Sequence, residues 1–355
     1  MLTQLVDETF AIADSEATLR LKFMENCRYG RGLFTENSFI LVEGEMTEEE
    51  AFNVHSITLP PYESRKQTEA CYEHANWLGS QAVTMSSTVL NALSAEFSEV
   101  SMVLISDVHL DNPVVFQGLK KLFATLETKD TPLAVVMMGS FTSKPFSAKG
   151  ESADAYTDGF KKLGNLISEF SNLSKWCRFI MVPGPNDPVH IHALPHAPLA
   201  KLYYEGLSSK VSNAIFTSNP ARIQIADKHI VLMRHNLLNK VLRNVAIPLP
   251  LKAASNPVTI QKYYVRTVID SGHLVPLPLN AQPILLARDN ALRLHCNPHL
   301  LVLSDETPAF STDYKDTKFV NPGAFIPVSP SHSINYFTYL PFQDILEQRY
   351  LPIDD

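Results

Sequence analysis

The stretch Met102-Val103-Leu104-Ile105-Ser106-Asp107-Val108-His109-Leu110-Asp111 decides the fold. Its first four residues are apolar and with Ser106 make a run of the length of a buried strand, which leads directly into an Asp-x-His pair. In an extended segment Asp107 and His109 project to the same side and can share a metal ion. Asp-x-His is a short pattern, and most occurrences of it only cap or solvate a loop. Downstream, Val114 to Leu126 has helical periodicity, and Leu133 to Met138 is again a continuous apolar strand. Ala155 to Phe170 reads as a helix and Phe179 to Val182 as a third strand. Strands alternating with helical stretches predict a layered α/β domain.

In such sheets the loops beyond the strand C-termini carry the site. Gly139-Ser140-Phe141-Thr142 follows the second strand, and Val182-Pro183-Gly184-Pro185-Asn186-Asp187-Pro188 closes the third. Later, Leu232-Met233-Arg234-His235 ends another apolar strand, and Leu300 to Leu303 runs into Ser304-Asp305-Glu306-Thr307.

Ahead of this domain, residues 1 to about 60 hold short runs with strand character: Met1 to Val6, Phe10 to Ala13, Thr18 to Phe23, Ser38 to Glu43 and Phe52 to Thr58. Alternation is clearest at Leu19, Leu21 and Phe23, the period of a half-buried strand. Several short strands separated by turn residues predict a small barrel, expected to be incomplete at its front. Pro60 and Pro61 close it, and the polar stretch that follows becomes helical near its end. The expected division is a barrel over 1–62, a linker over 63–98 and the α/β domain over 99–355.

Composition narrows the classes further. A chain of 355 residues exceeds one comfortable core, so two domains are the natural expectation. No apolar run approaches the roughly 18 residues of a membrane span. The formal charge of −7 argues against a protein that coats phosphate backbone, because that affinity comes from lysine and arginine. Cys27, Cys71, Cys177 and Cys296 lack CxxC spacing, which suggests neither a zinc ribbon nor a disulfide framework. A reducing compartment fits, and no secretory signal is visible at the N-terminus.

These loop strings resemble the motifs of calcineurin-like metallophosphoesterases. That family carries D-x-H, G-D-x-x-D, G-N-H-D/E, a lone His and G-H-x-H around two metal ions. Asp107, His109 and His235 match as relic positions, whereas ligands are lost at Ser140, Pro185, Asn186, Asp305 and Thr307. Two divalent ions a few ångströms apart repel, and the bridging carboxylate that makes the pair bindable is here a serine. The resemblance therefore implies no catalytic residue and no metal cofactor. A weak single-metal remnant, with Asp305 as an added oxygen ligand, stays open.

Within that superfamily the chain is similar to the B-subunits of eukaryotic replicative DNA polymerases, which join an OB-fold to an eroded phosphoesterase domain. The epsilon branch is the nearest in Gly32-Leu33-Phe34-Thr35-Glu36, Leu41-Val42-Glu43-Gly44, Phe216-Thr217-Ser218-Asn219-Pro220, Gly272-His273-Leu274-Val275-Pro276-Leu277-Pro278-Leu279 and Asn321-Pro322-Gly323. The resemblance implies a noncatalytic, nuclear subunit that scaffolds the C-terminal metal-binding region of the catalytic subunit in DNA replication. It also implies further small polymerase subunits and replisome components as partners, weak or indirect DNA contact, and no membrane. Family members usually carry an N-terminal helical domain, which this chain is expected to lack.

Two other functions compete: an active metal-dependent phosphodiesterase or nuclease using Asp107, His109 and His235, and a single-stranded DNA-binding barrel. For the latter, Phe10, Phe23, Phe34, Phe39 and Phe52 are candidate stacking residues, although such spacing is more often core. Lys240, Arg243, Lys252, Lys262 and Arg266 form a patch or are ordinary solvated charge. His273 reads as part of a structural turn, and His190, His192 and His196 as a solvated or partner-facing loop.

Overall fold

The computed structural model describes residues 1–4, 9–14, 16–48, 50–72, 85–128, 131–147, 150–189, 192–249, 251–328 and 333–353. The chain divides into two compact units, the first built from Met1–Ala75, Leu237–Asn297 and Tyr314–Asp316, the second from the remainder. The first begins with five strands: β1 (Leu2–Gln4), β2 (Phe10–Ala13), β3 (Thr18–Tyr29), β4 (Leu41–Met46) and β5 (Ala51–Thr58). They form one sheet in the order β1-β2-β3-β5-β4, with β3 and β5 parallel. Leu21, Val54, Ile57 and Leu59 point into its core, so the alternation in the sequence marks the buried face. A short helix, α1 (Arg65–Cys71), follows, its N-terminus closed by a capping box between Ser64 and Gln67.

The second unit opens with α2 (Ser87–Glu96) and then alternates strand and helix: β6 (Met102–Ser106), α3 (Pro113–Thr128), β7 (Ala134–Met138), α4 (Gly150–Ser168), α5 (Ser171–Trp176), β8 (Arg178–Val182), α6 (Lys201–Ser208) and β9 (Ala214–Phe216). Next come β10 (Ala221–Ile225) and β11 (Lys228–Arg234). The remaining strands are β12 (Leu300–Ser304), β13 (Phe310–Tyr314), β14 (Thr317–Asn321), β15 (Ser333–Leu340) and β16 (Ile345–Pro352). One sheet has the order β16-β15-β6-β7-β8-β9, the other β10-β11-β12-β14-β13. β6, β7 and β8 are mutually parallel, as are β11, β12 and β14.

Covered sheets need strands that are apolar on both faces, which is why the central strands read as unbroken runs. Met102, Leu104, Val136, Ile180 and Val182 meet Leu232, Leu300 and Val302 of the other sheet. Their neighbours Val103, Ile105, Val135, Met137 and Phe179 face Leu119, Phe123, Phe160 and Leu163 of α3 and α4. The fold class is the one expected, an α/β sandwich preceded by a small β unit. Among the described residues no helix is long and apolar enough to cross a membrane.

Residues 237–297, which fall inside the 99–355 stretch that reads as one domain, group instead with the first unit. They hold the helices α7 (Leu238–Arg243), α8 (Leu251–Ala254) and α9 (Pro257–Asp270) and a 3₁₀ segment at Leu286–Leu292. Ile247 enters the apolar core of the five-stranded sheet, Ala246 N–H donates to Phe34 O at 2.7 Å, and Leu33 N–H donates to Thr267 Oγ1 at 2.8 Å. Within the stretch 63–98, α1 occupies residues that read as linker, and α2 lies where helix is expected near its end.

Candidate functional site

The parallel strands of the second unit end together, and the residues just past β6, β7, β8, β11 and β12 form a cluster of mutual contacts. Asp107 follows β6 with φ of 53°, a left-handed turn that aspartate tolerates better than most residues. Its carboxylate is 8% exposed and is engaged on one oxygen. Arg234, the last residue of β11 and 3% exposed, donates to Asp107 Oδ1 from Nη2 at 2.7 Å and from Nε at 3.1 Å. Ser140 N–H, past β7, donates to the same oxygen at 3.1 Å. Arg234 Nη1 donates to Asn236 Oδ1 at 2.5 Å and to Ser304 O, at the end of β12, at 3.5 Å. Ser106 and Ser304 share a hydroxyl–hydroxyl hydrogen bond across the two sheets.

Asp187, past β8, is the second buried carboxylate. It accepts from Phe141 N–H at 2.7 Å and from Gly184 N–H at 2.6 Å. Burial pushes its pKa up to about 7, against the downward pull of these two N–H groups and of the Arg234 charge. Room is scarce here: a Cβ on Gly139 would lie 2.0 Å from Asp187 Oδ2 and 2.5 Å from Gly184 N. A Cβ on Gly184 would lie 2.7 Å from Ser140 N. Both glycines of the motif strings are therefore required by close approach of two backbones.

The other expected site residues serve their own loops. Ser140 Oγ accepts from Asn186 N–H at 3.2 Å, and Asn186 O accepts from Phe146 N–H at 2.8 Å; Pro185 beside it is half-buried. Asp305 is buried, and its Oδ1 accepts from Thr307 N–H at 3.0 Å while its own N–H donates to Asn321 Oδ1 at 3.0 Å. Asn321 Nδ2 donates to Thr307 Oγ1 at 3.1 Å. His109 is half-buried, and its N–H donates to Asp107 O at 3.0 Å. His235 is buried, with its ring against that of His196 at 6.2 Å between centroids.

Three residues outside the motif pattern organise this cluster. Arg234 lies beside His235, and its one signal in the sequence is a cation directly after the apolar run Ile230 to Met233. Asn219 joins three segments: its Nδ2 donates to Pro183 O at 2.9 Å and Arg234 O at 2.7 Å, and its Oδ1 accepts from Arg234 N–H at 3.1 Å. His196, expected in a solvated or partner-facing loop, is 4% exposed, and burial lowers its pKa to about 4, so its ring is neutral at neutral pH. The proline-rich loop folds inward there because His196 and Asn219 form a backbone bridge, whereas His192 is exposed and His190 lies outside the described residues.

These residues do not fit a two-metal centre. Asp107 is neutralised by a guanidinium, Asp187 is spent on backbone N–H groups, and among the described residues no group of three or more His, Cys, Asp or Glu is gathered for a metal ion.

Elsewhere, Phe34 is buried, Phe10, Phe23 and Phe52 pack on the core, and only Phe39 of these five is exposed, so the aromatic residues of the five-stranded sheet are mostly core. Lys240 donates to Gln282 Oε1 at 2.6 Å and Arg266 pairs with Asp270 at 3.0 Å; the Lys252 side chain lies outside the described residues. His273 holds a turn, accepting from Val275 N–H and meeting Asp289, each at 3.0 Å.

Fold and site together define an α/β sandwich with a β unit, whose strand-end loops are tied to one another. Residues 102–312 match the family model for the B-subunit of DNA polymerase alpha/epsilon, and residues 1–61 match that of the DNA polymerase epsilon subunit 2-like OB-fold domain. The chain belongs to the DNA polymerase alpha/epsilon B-subunit family, and its first five strands are the OB-fold domain of the epsilon branch. It is 32% identical over 353 residues to DNA polymerase epsilon subunit 2 of Homo sapiens, covering 99% of this chain and 64% of the relative. It is 29% identical over 354 residues to DNA polymerase epsilon subunit 2 of Drosophila melanogaster, again covering 99% of this chain and 64% of the relative. The chain thus spans less than two thirds of the length of these relatives. A weak likeness to the solved structure of an archaeal phosphodiesterase has 12% identity and a TM-score of 0.38 over 71% of this chain and 100% of that one.

Proposed function

We propose that the chain is a noncatalytic accessory subunit of the epsilon-class replicative DNA polymerase, acting in the nucleus by holding partners together. Its principal partner is the C-terminal metal-binding region of the catalytic subunit, with smaller subunits and replisome components beyond it. DNA contact is weak or indirect, in keeping with the formal charge of −7. The observation that carries this reading is the Asp107–Arg234 ion pair at 2.7 Å, which commits the one surviving Asp-x-His carboxylate to an internal partner. Similarity to epsilon subunits along nearly the whole chain supports the assignment of the complex.

Co-purification tests it: the chain is expected to retain the C-terminal region of the catalytic subunit and to hydrolyse no activated phosphodiester above a metal-only blank in manganese. Failure to retain that region would remove the scaffold reading, and turnover abolished by Asp107→Ala would replace it with the enzyme.

A further inference from the structure

We infer that Arg234 is a fixed internal cation that does structurally what a bound metal ion would do, so that the strand-end loops remain joined without one. The geometry is specific. Through Asp107 the guanidinium reaches the end of β6, and through the Ser140 N–H that shares the same oxygen it is linked to the end of β7. Through Nη1 it reaches Asn236 and the end of β12, and its own backbone is held on both sides by Asn219, which also binds Pro183 past β8. One buried positive charge therefore lies at the centre of contacts that join strand ends of both sheets. A buried carboxylate left alone is costly, and a cation that neutralises it and orients its neighbours is what a metal supplies in such a loop cluster. Arginine suits the role because its planar fork donates several directed hydrogen bonds and stays charged when buried, whereas lysine offers a point charge. His109 and His235, the two histidines of the motif resemblance, follow Asp107 and Arg234 by two residues and one residue in the chain.

The inference rests on the noncatalytic reading, but the two fail separately: phosphodiester turnover would overturn that reading, while the following measurements overturn only the substitution. Melting temperatures of wild type, Arg234→Met, Asp107→Asn and the double variant are compared in chelator and in manganese. Arg234→Met is expected to melt several degrees below wild type, and the double variant above Arg234→Met, because removing the carboxylate as well leaves no uncompensated charge. Manganese is expected to raise the melting temperature of Arg234→Met and to leave wild type and the double variant unmoved. Losses that simply add in the double variant, a manganese shift in wild type as large as that in Arg234→Met, or no shift in Arg234→Met would each overturn it. If Arg234→Met does not fold, a folded double variant supports the substitution; failure of both with Asp107→Asn folded overturns it.

Discussion

At Asp187 burial and hydrogen bonding oppose each other, and burial wins: the carboxyl is held near pH 7 although two backbone N–H groups favour its charged form. A folded pKa above the unfolded value of roughly 3.9 means that the folded state binds the proton more tightly. The stability this group contributes is therefore fully present below about pH 4 and is lost as pH rises through about 7. Asp187→Asn exchanges no proton, so the stability advantage of wild type over this variant is expected to shrink between about pH 5 and about pH 8. Paired thermal melts across that range check it, and a constant gap would contradict the assignment. Asp187 is visible in the sequence as the end of a motif string, but its two backbone partners are not. Gly184 is three residues away and Phe141 forty-six, and only the folded chain brings both to one carboxylate. Arg234 is hidden in the sequence for a related reason: its partner Asp107 is 127 residues distant and no local pattern joins them.

The central strands are legible as elements because a strand buried on both faces has to be apolar throughout. β6 is expected over Met102 to Ser106 and occurs there, and β7 and β8 differ from expectation by one residue at their starts. Leu104 lies on the sandwich-facing side of β6, paired with Phe337 of β15 and Val136 of β7. Leu104→Ala is expected to cost about 2–5 kcal/mol, read from the denaturant midpoint, because rigid neighbours on both sheets prevent the cavity from closing. α9 is marked in the sequence as well: Asn256 caps it by accepting from Val258 N–H at 3.0 Å and Pro257 occupies its first turn. Ile260, Tyr264, Val265, Val268 and Ile269 then recur at helical spacing, and the last four of these are buried.

For the whole molecule, the five-stranded sheet is completed by chain from far downstream. Ile247 fills its core, Thr35 bridges Val245, and Thr35 Oγ1 donates to Pro276 O at 2.8 Å. Residues 1–75 expressed alone are accordingly expected not to fold, whereas the intact chain does; circular dichroism melts would register a broad, noncooperative transition for the fragment. A sharp transition for it would show that the downstream segment is dispensable. The sequence by itself determined the fold class and the succession of the central strands along the chain, since these reside in local apolar runs. Only the tertiary structure decided that 237–297 joins the first unit and that Arg234 neutralises Asp107. Both depend on contacts between residues far apart in the chain, where burial and charge compensation act on proximity in space and leave no periodic trace in the sequence.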